Sequence, residues 1–269
     1  MELIKSIILG LVQGLSEFLP ISSSGHLVIF AEILNFHEEG IAFEVFVHFG
    51  TLLSILVAFR KELIQMIIAL YQVPIKKNND PELQEYFKWD LYVIIATIPA
   101  GVIGLTFKDQ IETAFSNVLL VYFMLAITGL IMTLTPYLKD RGTLFKTSNT
   151  FLIGVAQAFA ILPGISRSGS TIFTGLLFGI DRDKVARFSF IMSIPAVFGA
   201  VLLKTKDLME VGIDSSGMLN YFAGTIVAFA TGYLAIIWLL DIVKKGKLQW
   251  FGYYCFVVSA LGLGWHFLG

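Results

Sequence analysis

Charged residues are scarce in this chain of 269 residues: 14% are Asp, Glu, Lys or Arg, whereas 56% are hydrophobic. In soluble domains about a quarter of all residues are charged. This composition, with a mean hydropathy of +0.79, therefore excludes an ordinary soluble domain and predicts an integral membrane protein. The formal net charge is −1, so overall charge indicates no nucleic-acid partner. A lone cysteine, Cys255, excludes an internal disulfide and offers no metal-cluster spacing.

Long apolar segments, in contrast, are abundant. A helix that spans a bilayer needs about 20 mostly apolar residues. The segments that meet this requirement are 41–59, 90–107, 117–136, 185–203, 218–241 and 248–268. The sequence therefore predicts an all-α polytopic protein with six transmembrane helices, in which residues 1–269 form a single membrane domain.

Two further segments, which are polar for a membrane interior, repeat each other 144 positions apart. Residues 10–30 read GLVQGLSEFLPISSSGHLVIF, and residues 154–174 read GVAQAFAILPGISRSGSTIFT. Each pattern is a short apolar helix that stops at a turn of Pro, Ser and Gly and then resumes briefly. We interpret both as re-entrant helical hairpins. Because non-helical backbone at membrane depth is tolerated only in protein or beside water, each tip predicts a cavity.

The distribution of Lys and Arg gives the orientation. If both hairpins are re-entrant, 14 of the 19 basic residues lie on one side, four lie on the other, and Arg167 lies in the second hairpin. The positive-inside rule then makes the richer side cytoplasmic and puts both termini outside. The halves, roughly 1–142 and 143–269, form an inverted-topology repeat. Broken helices in such repeats usually meet near the midplane and form the binding site.

The polar residues of the two hairpins make up the predicted site. They are Gln13, Glu17, Ser22, Ser23, Ser24, Gly25 and His26 in the first hairpin, and Gly164, Ser166, Arg167, Ser168 and Thr171 in the second. A carboxylate inside a membrane needs a partner or a role. Two interpretations of Glu17 stay open: a purely structural ion pair with Arg167, or a ligand of Mg²⁺ or Ca²⁺, with Gln13 as a weaker oxygen ligand.

The residue types in the two turns favour anion binding and hydroxyl activation. Helix N-termini that follow Ser and Gly turns bind anions, and the forked guanidinium of Arg167 suits phosphate oxygens. A serine close to a histidine is the arrangement that activates a nucleophilic hydroxyl. Outside the hairpins, Glu44 and His48 share a helix face, and they either line the cavity or pair with each other.

The two motifs resemble the signatures of one family. QGLSEFLPISSSGH and PGISRSGST resemble those of the undecaprenyl-pyrophosphate phosphatases of the bacitracin-resistance type. The resemblance extends over the whole chain in length, number of spans and order of motifs. One departure is Gln13, where many relatives carry Glu.

This resemblance implies a bacterial inner-membrane enzyme that releases phosphate from undecaprenyl diphosphate. It recycles the lipid carrier of cell-wall synthesis, confers bacitracin resistance, requires a divalent metal and opens its site toward the outer face. We predict that Ser23 is the nucleophile and His26 its base, with His26 as the rival nucleophile. Arg167 and the metal would offset the diphosphate charge. The predicted phosphate-binding residues are Ser22, Ser24, Gly25, Gly164, Ser166, Ser168 and Thr171.

A second class of function stays open. Inverted repeats with broken helices are typical of secondary transporters, so the alternative is a transporter or flippase for an anion or a lipid phosphate. Such a protein would also use an arginine and Ser/Gly loops at the midplane, but it would not need a paired Ser and His or an acidic metal motif. The expected partners are the lipid substrate and membrane lipid, and the sequence is compatible with a homodimer.

Overall fold

The computed structural model describes residues 2–34, 40–211 and 217–268, and within these ranges most residues are helical. In chain order, α1 to α12 are Glu2–Phe18, Ser23–Leu34, Gly40–Ala58, Arg60–Gln72, Pro81–Thr106, Lys108–Phe115, Val118–Leu134, Thr147–Phe159, Arg167–Leu177, Arg182–Val211, Met218–Lys244 and Gln249–Leu268. A short 3-10 helix, Thr135–Tyr137, extends α7. The prediction of an all-α protein is confirmed for the described ranges.

Four helices are long and apolar enough to cross a bilayer, and each overlaps a predicted span. They are Pro81–Thr106, Val118–Tyr137, Arg182–Lys206 and Met218–Lys244. A fifth candidate is bent, because Ala42–Ala58 and Arg60–Gln72 meet at 75°. The predicted span at 248–268 corresponds to helix α12. Among the described residues, α12 is not one of the helices that meet the length and hydropathy requirements for a membrane span. The chain is thus a multi-pass membrane protein.

The two repeated segments each form a pair of short helices, α1 with α2 and α8 with α9. Each connecting turn contains a proline, Pro20 or Pro163. Proline lacks a main-chain N–H and disfavours a helical residue before it, so the first helix of each pair ends near this point. The turns reverse through residues with positive φ, +69° at Ser22 and +93° at Gly164. Glycine adopts this region freely, whereas serine is strained there.

The first helix of each pair packs against a long helix of the other half of the chain, α1 against α11 and α8 against α5. Glycine makes the close approach possible. A Cβ atom on Gly10 would lie 2.6 Å from the carbonyl oxygen of Gly224, and one on Gly154 would lie 2.4 Å from that of Ala96. Small residues at helix contacts are the usual means of association in membranes. Gly10 and Gly154 also occupy matching positions of the repeat.

Aromatic side chains anchor the end of α1 to the bundle core. The ring of Phe18 meets that of Phe190 on α10 edge-on, with centroids 5.8 Å apart. Phe59, at the bend between α3 and α4, lies 5.7 Å from the same ring. All three side chains are buried, so the α1–α2 turn is held at a fixed place in the molecule.

Candidate functional site

The two turns meet each other in the interior, and their contacts are reciprocal. A Cβ atom on Gly25 of the first turn would lie 3.2 Å from the Cα of Gly164 in the second. A Cβ atom on Gly169, which matches Gly25, would lie 3.2 Å from the Cβ of Pro20, which matches Gly164. Both pairs of matching residues are 144 positions apart, which is the spacing of the sequence repeat.

The long helices α7 and α12 each support one turn through a matching contact. Thr128 Oγ1 on α7 donates to the carbonyl of Gly164 at 2.8 Å and accepts from the amide of Ser166 at 3.0 Å. Cys255 on α12 is buried, and its thiol lies 4.0 Å from the carbonyl of Pro20. These contacts give partners to main-chain groups of the two turns.

Two of the predicted serines cap the helices that follow the turns. The amide of Gly25 donates to Ser22 Oγ at 3.3 Å, and the amide of Gly169 donates to Ser166 Oγ at 3.1 Å. A serine hydroxyl that accepts from a first-turn amide is a common N-cap. The capped helices, α2 and α9, therefore both begin at the site, with the positive ends of their dipoles directed there.

Glu17 is the centre of the site. Its Oε1 accepts from Arg167 Nη2 at 2.6 Å, while its Oε2 accepts from Ser23 Oγ at 2.6 Å and from Gln13 Nε2 at 3.0 Å. The side chains of Glu17 and Arg167 are only 7% and 16% exposed. The structure thus brings together four of the predicted residues, from both hairpins, on one carboxylate.

The other predicted serines lie beside this centre, whereas Thr171 faces away from it. Ser24 Oγ lies 3.2 Å from Ser22 Oγ, and Ser168 Oγ lies 3.2 Å from Ser166 Oγ. The hydroxyl of Thr171 is buried and donates to main-chain carbonyls one turn earlier in α9. It also lies 2.5 Å from the hydroxyl of a serine on α10. The Thr171 hydroxyl therefore joins α9 to α10.

His26 is held at both ring nitrogens. Nδ1 lies 2.8 Å from the carbonyl oxygen of Ser22, and Nε2 lies 2.8 Å from the hydroxyl of Tyr254. The rings of His26 and Tyr254 also stack, with centroids 5.5 Å apart. A carbonyl oxygen can only accept, so the network assigns the proton to Nδ1 and leaves Nε2 as the acceptor. Ser23, which was predicted to donate to His26, donates to Glu17 instead.

The site offers few ligands for a cation. In the described part of the chain, no group of three or more His, Cys, Asp or Glu side chains converges. The amide oxygen of Gln13 is buried and has no hydrogen-bond partner there, and it lies on the amide group whose nitrogen contacts Glu17. One carboxylate and one free amide oxygen fit Mg²⁺ when substrate phosphates supply further oxygens.

The side chains of Glu44 and His48, the polar residues outside the hairpins, do not pair with each other. Glu44 forms an ion pair with Lys204 on α10, and the His48 ring contacts the main-chain carbonyl of Glu44 at 2.8 Å. His48 and Lys204 line a separate small cavity. That cavity has no residue in common with the hairpin site.

Sequence reasoning missed two residues that complete the site, Tyr254 and Thr128. Tyr254 is 228 positions from His26, and nothing in its apolar surroundings marks it as a site residue. Thr128 is a hydroxyl in the middle of an apolar span, which is a weak signal because threonine can donate to its own helix.

Taken together, the site can bind an anion and activate a hydroxyl. Arg167 and two helix N-termini supply positive potential, and the Glu17 carboxylate can accept the proton of Ser23. The hydrogen bonds from Arg167 and Ser23 to Glu17 are both 2.6 Å long, and charge-assisted hydrogen bonds of this length are strong. The same arrangement would suit a phosphate ester or diphosphate.

The comparisons with known proteins all indicate the same family. Residues 6–261 match the family described as bacitracin resistance protein BacA. The chain is 43% identical over 265 residues to the undecaprenyl-diphosphatase of Halothermothrix orenii, covering 97% of each chain. It is 44% identical over 265 residues to that of Christiangramia forsetii, covering 96% of each chain. It is 42% identical over 273 residues to that of Methanobrevibacter smithii, covering 97% of this chain and 96% of the relative.

Proposed function

The chain belongs to the bacitracin resistance protein BacA family, and on that premise we propose that it is an integral membrane phosphatase. It hydrolyses undecaprenyl diphosphate to undecaprenyl phosphate and inorganic phosphate, and so recycles the lipid carrier. The observation that carries this proposal is the carboxylate of Glu17, which joins Ser23 of one hairpin to Arg167 of the other.

The proposed architecture has six spans and two re-entrant hairpins, related as an inverted repeat of residues 1–142 and 143–269. The reciprocal contacts of Gly25 with Gly164 and of Gly169 with Pro20 support it. The helix packing supports it too, since α1 lies on α11 as α8 lies on α5. In the proposed orientation both termini lie outside and the site opens toward the outer face, and the excess of basic residues on one side supports this orientation. A homodimer stays a prediction.

Substrate binding is assigned to the groups that carry positive charge. Arg167 donates to phosphate oxygens, and the free main-chain amides at the starts of α2 and α9 donate to the others. Ser24 and Ser168 add hydroxyl groups beside these amides. Phosphoryl transfer depends mostly on such positioning and charge stabilisation.

Ser23 is the proposed nucleophile. Its Oγ attacks the terminal phosphorus, its proton passes to Glu17 Oε2, which lies 2.6 Å away, and the bond from phosphorus to the bridging oxygen breaks. Undecaprenyl phosphate leaves, and a phosphoseryl group remains. Water then attacks this group, which releases inorganic phosphate and restores the Ser23 hydroxyl.

His26 is the proposed base for the attacking water. Its Nδ1–H donates to the carbonyl of Ser22, which leaves Nε2 to accept a proton. Before the reaction Tyr254 donates to that nitrogen and keeps the ring in place, and this hydrogen bond opens when Nε2 takes the proton of the water. This role replaces the predicted transfer of a proton from Ser23 to His26, because the contacts of Ser23 favour Glu17.

A divalent cation, Mg²⁺ or Ca²⁺, is proposed as the cofactor, with Glu17 and the Gln13 amide oxygen as its protein ligands. When bound, it supplies positive charge that offsets the diphosphate. The unpaired amide oxygen of Gln13 supports this. A glutamine gives one neutral ligand where a glutamate would give a charged one, so we expect the metal to be held weakly without substrate.

The experiment that tests the function is phosphate release from undecaprenyl diphosphate by purified protein in detergent. Wild type is compared with Glu17→Ala and Arg167→Ala in the presence of Mg²⁺, Ca²⁺ or EDTA. We expect release by the wild type alone, and only with a metal. If well-folded wild type releases no phosphate under any condition, the transporter alternative is favoured, and lipid or anion flux into liposomes becomes the measurement.

A further inference from the structure

An open apolar groove of about 450 Å³ lies beside the first hairpin, between α11 and α12. Leu19 and Ile21 of the hairpin turn form one end of it. Its sides include the aromatic residues Trp238, Trp250 and Tyr254, which are 54%, 64% and 42% exposed. In a membrane protein such a surface faces lipid, so the groove is accessible to a lipid chain.

One charged residue, Lys247, lines the groove. It lies in the loop between α11 and α12, close to Lys244 at the end of α11 and to Lys245 in the same loop. Lys244 pairs with Asp183 at 3.4 Å, and Lys245 pairs with Asp241 at 2.5 Å. Lys247 is exposed, and among the described residues no carboxylate pairs with it. Its ammonium group is therefore available to a ligand.

Trp250 indicates where this end of the groove lies in the bilayer. Tryptophan is enriched at the level of the lipid headgroups, where its ring is apolar on one side and its N–H meets water. Trp250 is three residues from Lys247, so the ammonium lies at or beyond that level. Tyr254 lies four residues beyond Trp250 on α12, which corresponds to about 6 Å along the helix. The groove thus runs from the headgroup region into the hydrocarbon.

The size of the groove is sufficient for a lipid chain. Its volume of about 450 Å³ equals that of about fifteen water molecules, and a methylene group occupies a similar volume. The groove therefore has room for one acyl chain of a phospholipid, and the single ammonium group of Lys247 favours a headgroup that carries a negative charge. An undecaprenyl chain is several times larger. A second copy of the protein would leave the Lys247 ammonium without a matching charge.

We propose that this groove is a binding site for an anionic phospholipid, with one acyl chain between α11 and α12 and the phosphate-containing headgroup at Lys247. Basic pockets between helices on the cytoplasmic side commonly bind anionic lipid headgroups, and the side of Lys247 is the one with the excess of basic residues. The site is separate from the diphosphate site and holds a lipid that is not the substrate.

The bound chain packs against a residue that the proposed mechanism uses. Tyr254 lines the groove and its hydroxyl lies 2.8 Å from His26 Nε2. A chain in the groove covers the exposed face of this tyrosine and restricts its movement away from His26. The lipid composition of the membrane thereby affects how firmly Tyr254 is held against His26.

The test measures lipid retention, which needs no substrate and is independent of the phosphatase proposal. Full-length protein is reconstituted in bilayers of equimolar phosphatidylglycerol and phosphatidylcholine with identical acyl chains, and retained lipids are identified by native mass spectrometry. We expect about a five-fold preference for phosphatidylglycerol, the effect of one lysine near an anionic lipid. Lys247→Glu should remove the preference. Lys139→Glu, an exposed lysine outside the groove, is the matched control and should retain it.

A variant that fills the groove separates chain binding from surface charge. Ile242→Trp should lower retention of both lipids while Lys247 remains. Equal retention of the two lipids by the wild type would overturn the proposal, as would full retention of phosphatidylglycerol by Lys247→Glu. A retained polyprenyl lipid, or a dimer that excludes lipid from the groove, would equally overturn it.

Discussion

Replacing Arg167 with alanine removes the guanidinium that donates to Glu17 Oε1 at 2.6 Å. The Glu17 side chain is 7% exposed, so the variant leaves a mostly buried carboxylate without its counter-charge. Removing one partner of a buried ion pair costs about 3–5 kcal/mol. Gln13 and Ser23 still donate to Oε2, so we expect the lower end, a loss of about 3 kcal/mol in the free energy of unfolding.

Adding Glu17→Gln to Arg167→Ala removes the unpaired charge. We expect the double variant to recover most of the lost stability, because a neutral amide needs no counter-charge. Phosphate release should nevertheless stay about 1,000-fold or more below the wild type, because an arginine that stabilises charge in phosphoryl transfer contributes about 10³ to 10⁵. Thermal unfolding in detergent and phosphate release are measured on the same preparations.

The comparison separates the two interpretations of the ion pair. If Glu17 and Arg167 were only structural, a stable double variant would turn over near the wild-type rate, and that result would refute the proposed site. Arg167→Lys is the control for charge. It preserves the positive charge but replaces a forked donor by a point charge, so we expect a stable protein with most of its activity lost.

Three further substitutions test the second turn, the contact of Tyr254 with His26 and the metal site. Gly164→Ala puts a Cβ atom at φ +93° and 2.5 Å from a main-chain oxygen of α7. It should lower the free energy of unfolding by about 2 kcal/mol or more, whereas Gly199→Ala, where the Cβ atom meets nothing within 4 Å, should not; thermal unfolding measures both. Tyr254→Phe removes the hydrogen bond to His26 but keeps the ring, so kcat should fall by about ten-fold or less, and a larger loss would mean that the hydroxyl takes part directly. Gln13→Glu adds a second carboxylate ligand and should lower the Mg²⁺ concentration for half-maximal phosphate release; an unchanged concentration would remove residue 13 from the metal site.

Much of the site could be predicted from the sequence repeat. Its spacing of 144 predicted that two polar turns would meet. The contact of Gly25 with Gly164 is repeated, each residue 144 positions away from its match, by the contact of Gly169 with Pro20. The ion pair between Glu17 and Arg167 could also be anticipated, because a membrane carboxylate needs a partner and Arg167 is the basic residue of the other hairpin. Both inferences follow from the cost of burying polar groups in a membrane.

The finer contacts depend on long-range packing, which a single sequence does not contain. Ser23 and His26 are close in sequence, which favoured a pair, but α2 directs the His26 ring toward Tyr254 on α12. Thr171 looked like a phosphate ligand because hydroxyls cluster in its motif, yet its hydroxyl contacts helix carbonyls and α10. The bend of 75° between α3 and α4 was also not predicted, since no proline or glycine marks it.

The most direct test of the site is to trap the phosphorylated enzyme and map the label. Purified protein is mixed with undecaprenyl diphosphate that is radiolabelled in the terminal phosphate, quenched rapidly and digested, and Ser23→Ala is treated alongside. We expect label on the peptide that contains Ser23 and none on the variant. Label on His26, or turnover without any labelled residue, would contradict a serine nucleophile held by Glu17.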